Sequence, residues 1–469
     1  MTERPPASSP APSTVAARAA YARAVERLSA DLQGLGPNTP VRLAKQTSNL
    51  FRMRDTSATP GLDVSAFSGV IEVDAARRTA DVLGMTTYED LVDVTLRHGL
   101  MPLVVPELKT ITLGGAVTGL GIESTSFRNG CPHESVLDFD VLTGDGRVIT
   151  VTPDGPHADL FTGFPNSYGT LGYALRLRIE LQPVKPFVEL QHFMHRTAAD
   201  AARTFVEITE SGEHRGRAVD FLDGVVFAPD QIIVSIGRFV DEAPYLSDYT
   251  RRHVYYRSLQ HRSSDYLTIR DYIWRWDTDW FWCSGALGIQ NPLLRPLLPR
   301  RLLRSDVYWK VVGFERRHGW KGALDARRGH TPREPVIQDV EVPVDRLEEF
   351  LEFFHDEIGI APVWLCPLRP RTDAVTWDLY ALDPSTTYVN LGFWSSVEQL
   401  PGQRDGHHNR RIEEVVAALG GRKSLYSSSY YDEDEFWQTY NGSQYQLLKK
   451  QYDPNGRLLD LYAKCVRGR

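Results

Sequence analysis

A glycine-rich stretch, residues 111–124, has a composition and spacing that could bind a ligand. Four glycines fall within eight positions: Gly114, Gly115, Gly119 and Gly121. Glycine allows positive φ angles and close approach of main-chain N–H groups, which suits the diphosphate of a dinucleotide. A tight structural turn explains the same density equally well. The spacing is not a Rossmann fingerprint, because Ser124 stands where Gly or Ala is required, and no P-loop ending follows.

A second glycine loop, PNSYGTLGY at residues 165–173, precedes an alternating apolar pattern. In it Gly169 and Gly172 flank Thr170 and Leu171, so that backbone amides and one apolar side chain could face a flat ring. An ordinary loop is the alternative. A polar loop upstream supplies three further candidates for the same site: Lys45, Ser48 and Asn49. Together the three loops predict a dinucleotide-binding site more strongly than any one of them.

Aromatic and basic residues are concentrated in the second half of the chain. Six of the ten tryptophans lie between residues 274 and 320, and arginines stand at 295, 300, 301 and 304. One interpretation is the lid and wall of an apolar substrate pocket. The other is peripheral contact with a lipid surface. Both interpretations favour an apolar small molecule as the partner.

Composition excludes several classes of protein. The 469 residues allow about two or three domains, and 42% hydrophobic with 24% charged residues is typical of a globular protein. A net charge of −7 removes the usual electrostatic reason to expect a nucleic-acid partner. The four cysteines form no CxxC pair, which argues against a zinc site or a disulfide scaffold. The sequence therefore predicts a reducing, cytoplasmic location, no metal and no transmembrane helix.

The elements that would position these loops are both helices and strands. The pattern after a proline-rich tail predicts a helix from Ser13 or Thr14 to Gly34. Short strands are predicted at 41–51 and 70–74. Mixed signals of this kind predict an α+β fold.

Further along the chain, Thr86 with Glu89 predicts a capped helix that ends at Gly99. The Asp145-Gly146 pair predicts a hairpin turn, and strict alternation at 174–181 predicts a half-buried strand. Prolines at 183 and 186 place a domain boundary near residue 185.

These boundaries divide the chain into four segments. The predicted segments are a disordered tail and helix at 1–38, a cofactor-binding domain at 39–185, a substrate or cap domain at 186–425, and a C-terminal segment at 426–469 that returns to the cofactor domain.

The two glycine loops resemble the FAD-binding domain of the p-cresol methylhydroxylase and vanillyl-alcohol oxidase type. Residues 106–126 and 159–181 are similar to stretches of one branch, the Δ24-sterol reductases, which reduce the side-chain double bond of sterols. Further matches are YLTIRDYIWRW (266–276), NPLLRPLLP (291–299), PVWLCP (362–367) and DEFWQTYNGSQYQLLKK (434–450). The resemblance runs from about residue 41 to the C-terminus. It implies a two-subdomain FAD-binding domain of this type with a mixed α/β cap domain.

The resemblance implies FAD as the cofactor and assigns residues to it. Those of the first loop are Thr112, Leu113, Gly114, Gly115, Gly119, Gly121, Ile122, Glu123 and Ser124; those of the second are Thr170, Leu171 and Gly172. Some members of the wider family attach flavin through a His in the first loop or a Cys before the second. Residues 41–54 contain no His and residues 101–130 no Cys, so we expect non-covalent FAD.

The implied activity is reduction of a carbon–carbon double bond in a sterol-like or isoprenoid substrate, with NADPH as hydride source. Such a reaction also needs a proton donor. Our first candidates are Tyr272 and Arg275, with Arg270 or Arg275 lowering the pKa of the tyrosine. Glu107 is a further candidate acid, or a strand-end carboxylate that caps loop amides. Packing in the core is the alternative for the aromatic and arginine residues.

Two other functions stay open at this stage. A flavin enzyme of this type could instead oxidise an alcohol or a sugar-lipid hydroxyl to a carbonyl. A protein without turnover could use the flavin and the aromatic segment to hold a lipid or a partner.

Overall fold

The structure, a computed structural model, describes residues 14–45, 51–52, 59–251, 253–310 and 331–468. The strands are β1 (Arg42–Ala44), β2 (Gly61–Asp63), β3 (Val70–Asp74), β4 (Thr79–Leu83), β5 (Leu100–Pro102), β6 (Val136–Leu142), β7 (Val148–Val151), β8 (Tyr173–Pro183), β9 (Phe187–His195), β10 (Glu213–His214), β11 (Arg217–Ala218), β12 (Phe221–Ala228), β13 (Gln231–Val240), β14 (Ser264–Thr268), β15 (Arg333–Pro343), β16 (Val363–Leu368), β17 (Tyr388–Glu398) and β18 (Arg422–Lys423).

Helices cover both sheets and join their strands. The α-helices whose bounds lie within the described residues are α1 (Thr14–Gly34), α2 (Tyr88–Thr95), α3 (Leu113–Thr118), α4 (Ser126–Asn129), α5 (Ala158–Gly163), α6 (Ala198–Ser211), α7 (Tyr255–Ser258), α8 (Ile269–Ile273), α9 (Leu347–Phe353), α10 (His407–Ala418), α11 (Glu433–Thr439), α12 (Gly442–Tyr452) and α13 (Leu461–Cys465). This mixture of helices with sheets that are antiparallel, apart from the parallel pair β1-β2, confirms the predicted α+β class.

A six-stranded sheet forms the first half of the molecule. Its order is β3-β4-β8-β6-β7, with β5 paired to the far end of β8. The central strand β8 confirms the alternating pattern read from residues 174–181, since Leu175, Leu177 and Ile179 are fully buried. The predicted hairpin at Asp145-Gly146 joins β6 to β7.

The helix predicted to end at Gly99 is present as α2, followed by a 3₁₀ turn with Gly99 as its C-cap. Its N-cap is Thr87 rather than Thr86, because the Thr87 hydroxyl accepts the Asp90 N–H. Thr86 is fully buried, and its hydroxyl donates to the Leu83 carbonyl at 2.6 Å. The predicted cap was therefore wrong by one residue.

An eight-stranded antiparallel sheet forms the second half, in the order β14-β9-β13-β12-β16-β17-β15-β18. The chain passes from the first sheet to the second between Pro183 and Phe187. One face of the second sheet packs against α6, α9 and α10 around a core that includes Phe205, Leu347 and Ile412. The other face is turned toward the first half of the molecule and forms part of the cavity described below.

The two ends of the chain pack beside the first sheet. Helix α1 buries Ala24, Leu28 and Leu32 in a small core that also contains Leu458. From α12, the Lys449 ammonium donates to the Thr170 carbonyl at 2.8 Å. The predicted helix at the start of the chain is confirmed. The four-segment division stays a prediction.

Candidate functional site

A cavity of about 620 Å³ lies between the first half of the molecule and the open face of the eight-stranded sheet. Its floor is made by α3 and the loop before β8, and its roof by residues of β15, β16 and β17. Chain from both halves therefore shapes one continuous space.

The glycine-rich stretch enters the cavity as the short helix α3 rather than as an open loop. Thr112 is its N-cap and accepts the Gly115 N–H at 3.2 Å. The expectation of positive φ was wrong here, because neither Gly114 nor Gly115, nor Gly119 or Gly121, adopts it. Close packing explains why at least two of these positions require glycine.

The crowding at these glycines comes from backbone and proline atoms. A Cβ on Gly114 would lie 2.7 Å from the Gly84 carbonyl oxygen. A Cβ on Gly121 would lie 2.9 Å from Pro106. Gly115, in contrast, is exposed to the cavity at the start of α3. Of the predicted first-loop residues, those that line the cavity are Thr112, Gly114, Gly115, Gly119, Gly121 and Ile122. Leu113 is buried in the core beside them.

The second glycine loop does adopt left-handed backbone, with φ of +77° at Gly169 and +152° at Gly172. Both glycines line the cavity. Thr170 and Leu171 do not, because they are fully buried and the Thr170 hydroxyl donates to the Ser167 carbonyl at 2.7 Å. This loop contributes backbone and the neighbouring Tyr168 ring, which the sequence did not single out.

Among the described residues, five basic side chains line the cavity: Arg42, Lys45, Arg52, Arg457 and Lys464. The Lys45 ammonium lies 3.4 Å from the Thr112 hydroxyl, which joins the polar loop to the start of α3. Ser48 and Asn49 lie outside the described residues. In a chain of net negative charge, this group of cations fits the anionic part of a dinucleotide, whereas the first amides of α3 already donate within the protein.

Glu107 lines the cavity and is 7% exposed. Among the described residues its Oε1 atom has no hydrogen-bond partner. Burial raises its pKa well above the ordinary value, and the nearby Glu123 carboxylate adds to the shift. The structure thus leaves one oxygen of the Glu107 carboxyl group without a hydrogen-bond partner at the cavity wall, and both of its predicted roles, as an acid and as a cap of loop amides, stay predictions.

Arg275 lies outside the cavity lining and joins the two halves of the molecule. Its fully buried guanidinium donates to Glu123 at 2.8 Å and to Asp223 of β12 at 2.7 Å. Burial lowers the pKa of Arg275, but the two carboxylates raise it by more, so that it lies well above its ordinary value. The predicted cofactor residue Glu123 is therefore part of a buried ion network rather than of the cavity wall.

Tyr272 is fully buried next to this network, and its hydroxyl lies 2.9 Å from the Ser124 hydroxyl. Arg275 stacks over the Tyr272 ring at 4.1 Å. The expected fall in its pKa was wrong, because burial raises the pKa of Tyr272 well above its usual value and outweighs Arg275. Arg270 is half exposed and pairs with Asp93 at the surface. Neither residue lines the cavity, and their catalytic roles stay predictions.

Aromatic rings form the apolar wall of the cavity, which accounts for much of the tryptophan-rich stretch. Phe281 stacks on Trp394 with ring centroids 4.1 Å apart, and Trp280 packs against Phe51 at 5.5 Å. Trp364 completes the wall. Trp274 and Trp276 are buried in the core.

Three polar residues on the eight-stranded sheet side were missed from the sequence: Asp339, Asn390 and Tyr426. Burial raises the pKa of Asp339 to about 7, opposed by hydrogen bonds from Asn390 and Tyr426. The sequence signal that could have indicated Asp339 is an acidic residue within the alternating QDVEV pattern of β15. Alternation shows which residues of a strand share one face of the sheet. The position of that face could not be read from the pattern.

Comparison with known proteins agrees with the site. An FAD binding domain model matches residues 22–152. The chain is 24% identical over 448 residues to a Delta(24)-sterol reductase of Arabidopsis thaliana, covering 87% of this chain and 77% of the relative. It is 25% identical over 427 residues to the Delta(24)-sterol reductase of Rattus norvegicus, covering 85% and 76%. Cytokinin dehydrogenase 10 of Oryza sativa is 26% identical over half of each chain. In the described residues no helix is long and apolar enough to span a membrane.

Proposed function

We propose, from the premise that this chain is an FAD-dependent oxidoreductase with a p-cresol methylhydroxylase-type FAD-binding domain, that it reduces a carbon–carbon double bond in an apolar, sterol-like or isoprenoid substrate. The observation that carries the proposal is the single cavity in which a cationic, glycine-lined half continues into an aromatic half. The similarity to Delta(24)-sterol reductases over most of the chain supports the same reaction.

The residues present fit FAD. The basic side chains around Lys45 and Arg457 would hold the diphosphate. The Gly169–Gly172 loop would pack on the ring system. Bound FAD supplies the hydride transfer that amino-acid side chains cannot perform. We propose non-covalent binding, since the lining residues of the described chain include no His or Cys.

The aromatic half of the cavity would exclude water and orient an apolar substrate. Phe281, Trp364 and Trp394 present ring faces and edges, which favour flat hydrocarbon over charged molecules. Alkene reduction also needs a proton at the second carbon, and the polar residues within this wall are the groups able to hold one.

We propose NADPH as the donor that reduces the flavin, and anaerobic mixing tests it. Rapid loss of the flavin absorbance on addition of NADPH, followed by recovery on addition of a sterol or isoprenoid alkene, is the expected result. Loss of absorbance with an alcohol in place of NADPH would instead support the second candidate, an alcohol or sugar-lipid oxidase or dehydrogenase. The rice relative, named a dehydrogenase, is the observation that favours that candidate.

An exposed group of leucines suggests how such a substrate arrives. The leucine patch comprises Leu287, Leu293, Leu294, Leu297 and Leu302, with Leu293 80% and Leu297 78% exposed. It follows directly after Trp280 and Phe281 of the cavity wall. No Asp or Glu occurs between Asp279 and Asp306. Of the four arginines there, Arg295 is buried on Asp279 and Arg304 pairs with Glu89. Arg300, which contacts Asp248, and Arg301 are exposed. We propose that this patch rests on an anionic lipid surface, which supplies an apolar substrate to the cavity.

Sedimentation with phosphatidylcholine vesicles containing phosphatidylglycerol tests the leucine patch. The double variant Leu293→Ser/Leu297→Ser should lose vesicle binding. The control Leu447→Ser, at a 65% exposed leucine of α12, should keep it. Equal binding by all three proteins would contradict the proposal. A dimer that the double variant dissolves would assign the patch to a second copy of the chain instead.

A further inference from the structure

We propose that Asp339 is the acid that delivers the proton to the alkene, positioned by Asn390 and Tyr426. This inference rests on the proposed reductase function and names the group that completes it. Asp339 lies on β15, and its accessible surface faces the cavity beside the aromatic wall. The site thereby places an acidic group beside an apolar surface for hydrocarbon.

The neighbouring strand is shaped to leave room for the Asp339 carboxyl group. Gly392 of β17 is the residue paired with Asp339 across the sheet. A Cβ at Gly392 would lie 2.5 Å from Asp339 Oδ1 and 2.6 Å from the Trp394 ring. Any larger residue at that position would displace the carboxyl group or the ring. The space that Gly392 leaves is therefore what allows acid and aromatic wall to lie side by side.

Hydrogen bonds orient the carboxyl group through two neutral donors. Asn390 Nδ2 donates to Asp339 Oδ1 at 3.3 Å. The Trp394 indole N–H donates to the Tyr426 hydroxyl at 3.0 Å, and the same hydroxyl is hydrogen-bonded to Asp339. Because an indole N–H can only donate, Tyr426 accepts from Trp394 and keeps its own proton for Asp339.

The polar atoms around this site are not all satisfied by protein. Asn390 is fully buried, and within the described chain its Oδ1 has no hydrogen-bond partner. Oε1 of Glu107, which also lines the cavity, has none either. Buried acceptors without partners are uncommon, so these two atoms point to a ligand that enters the cavity.

Burial favours the protonated form of Asp339, and the hydrogen bonds from Asn390 and Tyr426 oppose it. Glu107 across the cavity and Glu341 on the same strand are both acidic, and each has its pKa raised by burial and by Asp339. Tyr426 has its pKa raised well above the ordinary value by burial. With the pKa of Asp339 at about 7, a large fraction of molecules carries the proton near neutral pH.

The proposed step balances in electrons and protons. Bound reduced FAD would supply a hydride to one alkene carbon, while Asp339 gives its proton to the other carbon as the π bond breaks. The Asp339 carboxylate then regains a proton from water, and NADPH would supply the hydride that replaces the one consumed. Because the acid form of Asp339 is required, alkene reduction should be constant at low pH and fall as pH rises through about 7.

The test compares Asp339→Asn with Glu341→Gln in flavin-loaded protein. Glu341 is a matched control: it lies two residues away on β15, is fully buried, accepts a hydrogen bond from Tyr380 and does not line the cavity. Reoxidation of the reduced flavin by the alkene should slow about 10²–10⁴-fold in Asp339→Asn, with loss of the inflection near pH 7. Because the pKa of Glu341 is raised to about 8, this residue is mostly neutral near pH 7, so Glu341→Gln should keep the rate and the inflection.

Infrared difference titration gives a readout that does not depend on turnover. The wild-type spectrum minus that of Asp339→Asn should contain a protonated carboxyl C=O band that titrates near pH 7. Glu341→Gln should keep that band and lose the separate band of Glu341, whose pKa is about 8. If no alkene reoxidises the wild-type flavin, the proposed function fails and this inference falls with it. If the wild type is active and Asp339→Asn keeps its rate, or if Tyr272→Phe alone is slow, only the inference on Asp339 is overturned.

Discussion

The buried network around Arg275 leads to a prediction about stability that separates a structural from a catalytic role. Arg275 is fully buried between Glu123 and Asp223 and pairs with both carboxyl groups. In Arg275→Gln both carboxylates stay buried without a cation. Removing one partner from a buried ion pair commonly costs about 3–5 kcal/mol. We expect a loss of that size in the free energy of unfolding at pH 7.

The magnitude can be worked from the proton that the variant must take up. Consider a buried carboxyl group that is protonated in the folded state at pH 7 and has a pKa of about 4.3 in the unfolded state. Taking up that proton lowers the free energy of unfolding by about 4 kcal/mol, at about 1.36 kcal/mol per pKa unit. Burial already raises the pKa of Glu123 despite Arg275, so loss of the arginine moves it further in that direction. A raised folded pKa destabilises above the unfolded pKa and not below it. The deficit should therefore shrink to about 1 kcal/mol at pH 5.

Urea unfolding followed by tryptophan fluorescence at pH 7 and pH 5 measures both quantities. Arg270→Gln is the control, because Arg270 is half exposed and its pair with Asp93 should contribute less than about 1 kcal/mol. A deficit in Arg275→Gln that is the same at both pH values would refute the argument from uncompensated carboxylates and indicate lost packing alone. A deficit no larger than that of Arg270→Gln would refute the structural role itself.

Two further variants test the cofactor half of the cavity. Gly172→Ala should lower the free energy of unfolding by about 2–5 kcal/mol, because its Cβ would lie 2.4 Å from Val141 at a φ of +152°. The control Gly212→Ala has open space around it at a φ of +70° and should cost only about 1–2 kcal/mol. Thermal unfolding measures both variants. Thr112→Ala removes the N-cap of α3 and should weaken FAD binding measured by flavin fluorescence. The control Thr87→Ala removes the equivalent N-cap of α2, which lies outside the cavity. It should cost a similar ~1 kcal/mol of stability and leave FAD affinity unchanged. Equal FAD affinities for the two variants would show that α3 does not contribute to the cofactor site.

Patterns within single elements allowed much of the fold to be predicted. The hairpin at Asp145-Gly146, the strand at 174–181 and the helix ending at Gly34 depend on local turn chemistry or periodicity, and each is present. The backbone conformation of the first glycine-rich stretch was predicted less accurately. Its glycines are crowded by Gly84 and Pro106, which are distant enough in sequence that only the packed structure brings them close.

The chemistry of the site was harder to predict than its cofactor half. Tyr272 and Arg275 stand in a conspicuous aromatic and basic segment, yet the structure buries them beside Ser124 and Asp223 rather than in the cavity wall. Asp339 and Asn390 carry no motif. They meet because β15 and β17 pair in one register, and register across strands far apart in sequence is set by the whole sheet.

The packing of both chain ends against the first half has a consequence for how the protein is made. The Arg457 guanidinium donates to the carbonyls of Thr39 and Leu32, and the Lys464 ammonium donates to the Tyr168 carbonyl. Residues 14–185 leave the ribosome long before Arg457 and Lys464 have been synthesised. Leu28 and Leu32 therefore lack their partner Leu458 until residues 457–464 have been synthesised. Nascent chains should thus bind FAD only after this segment has left the ribosome.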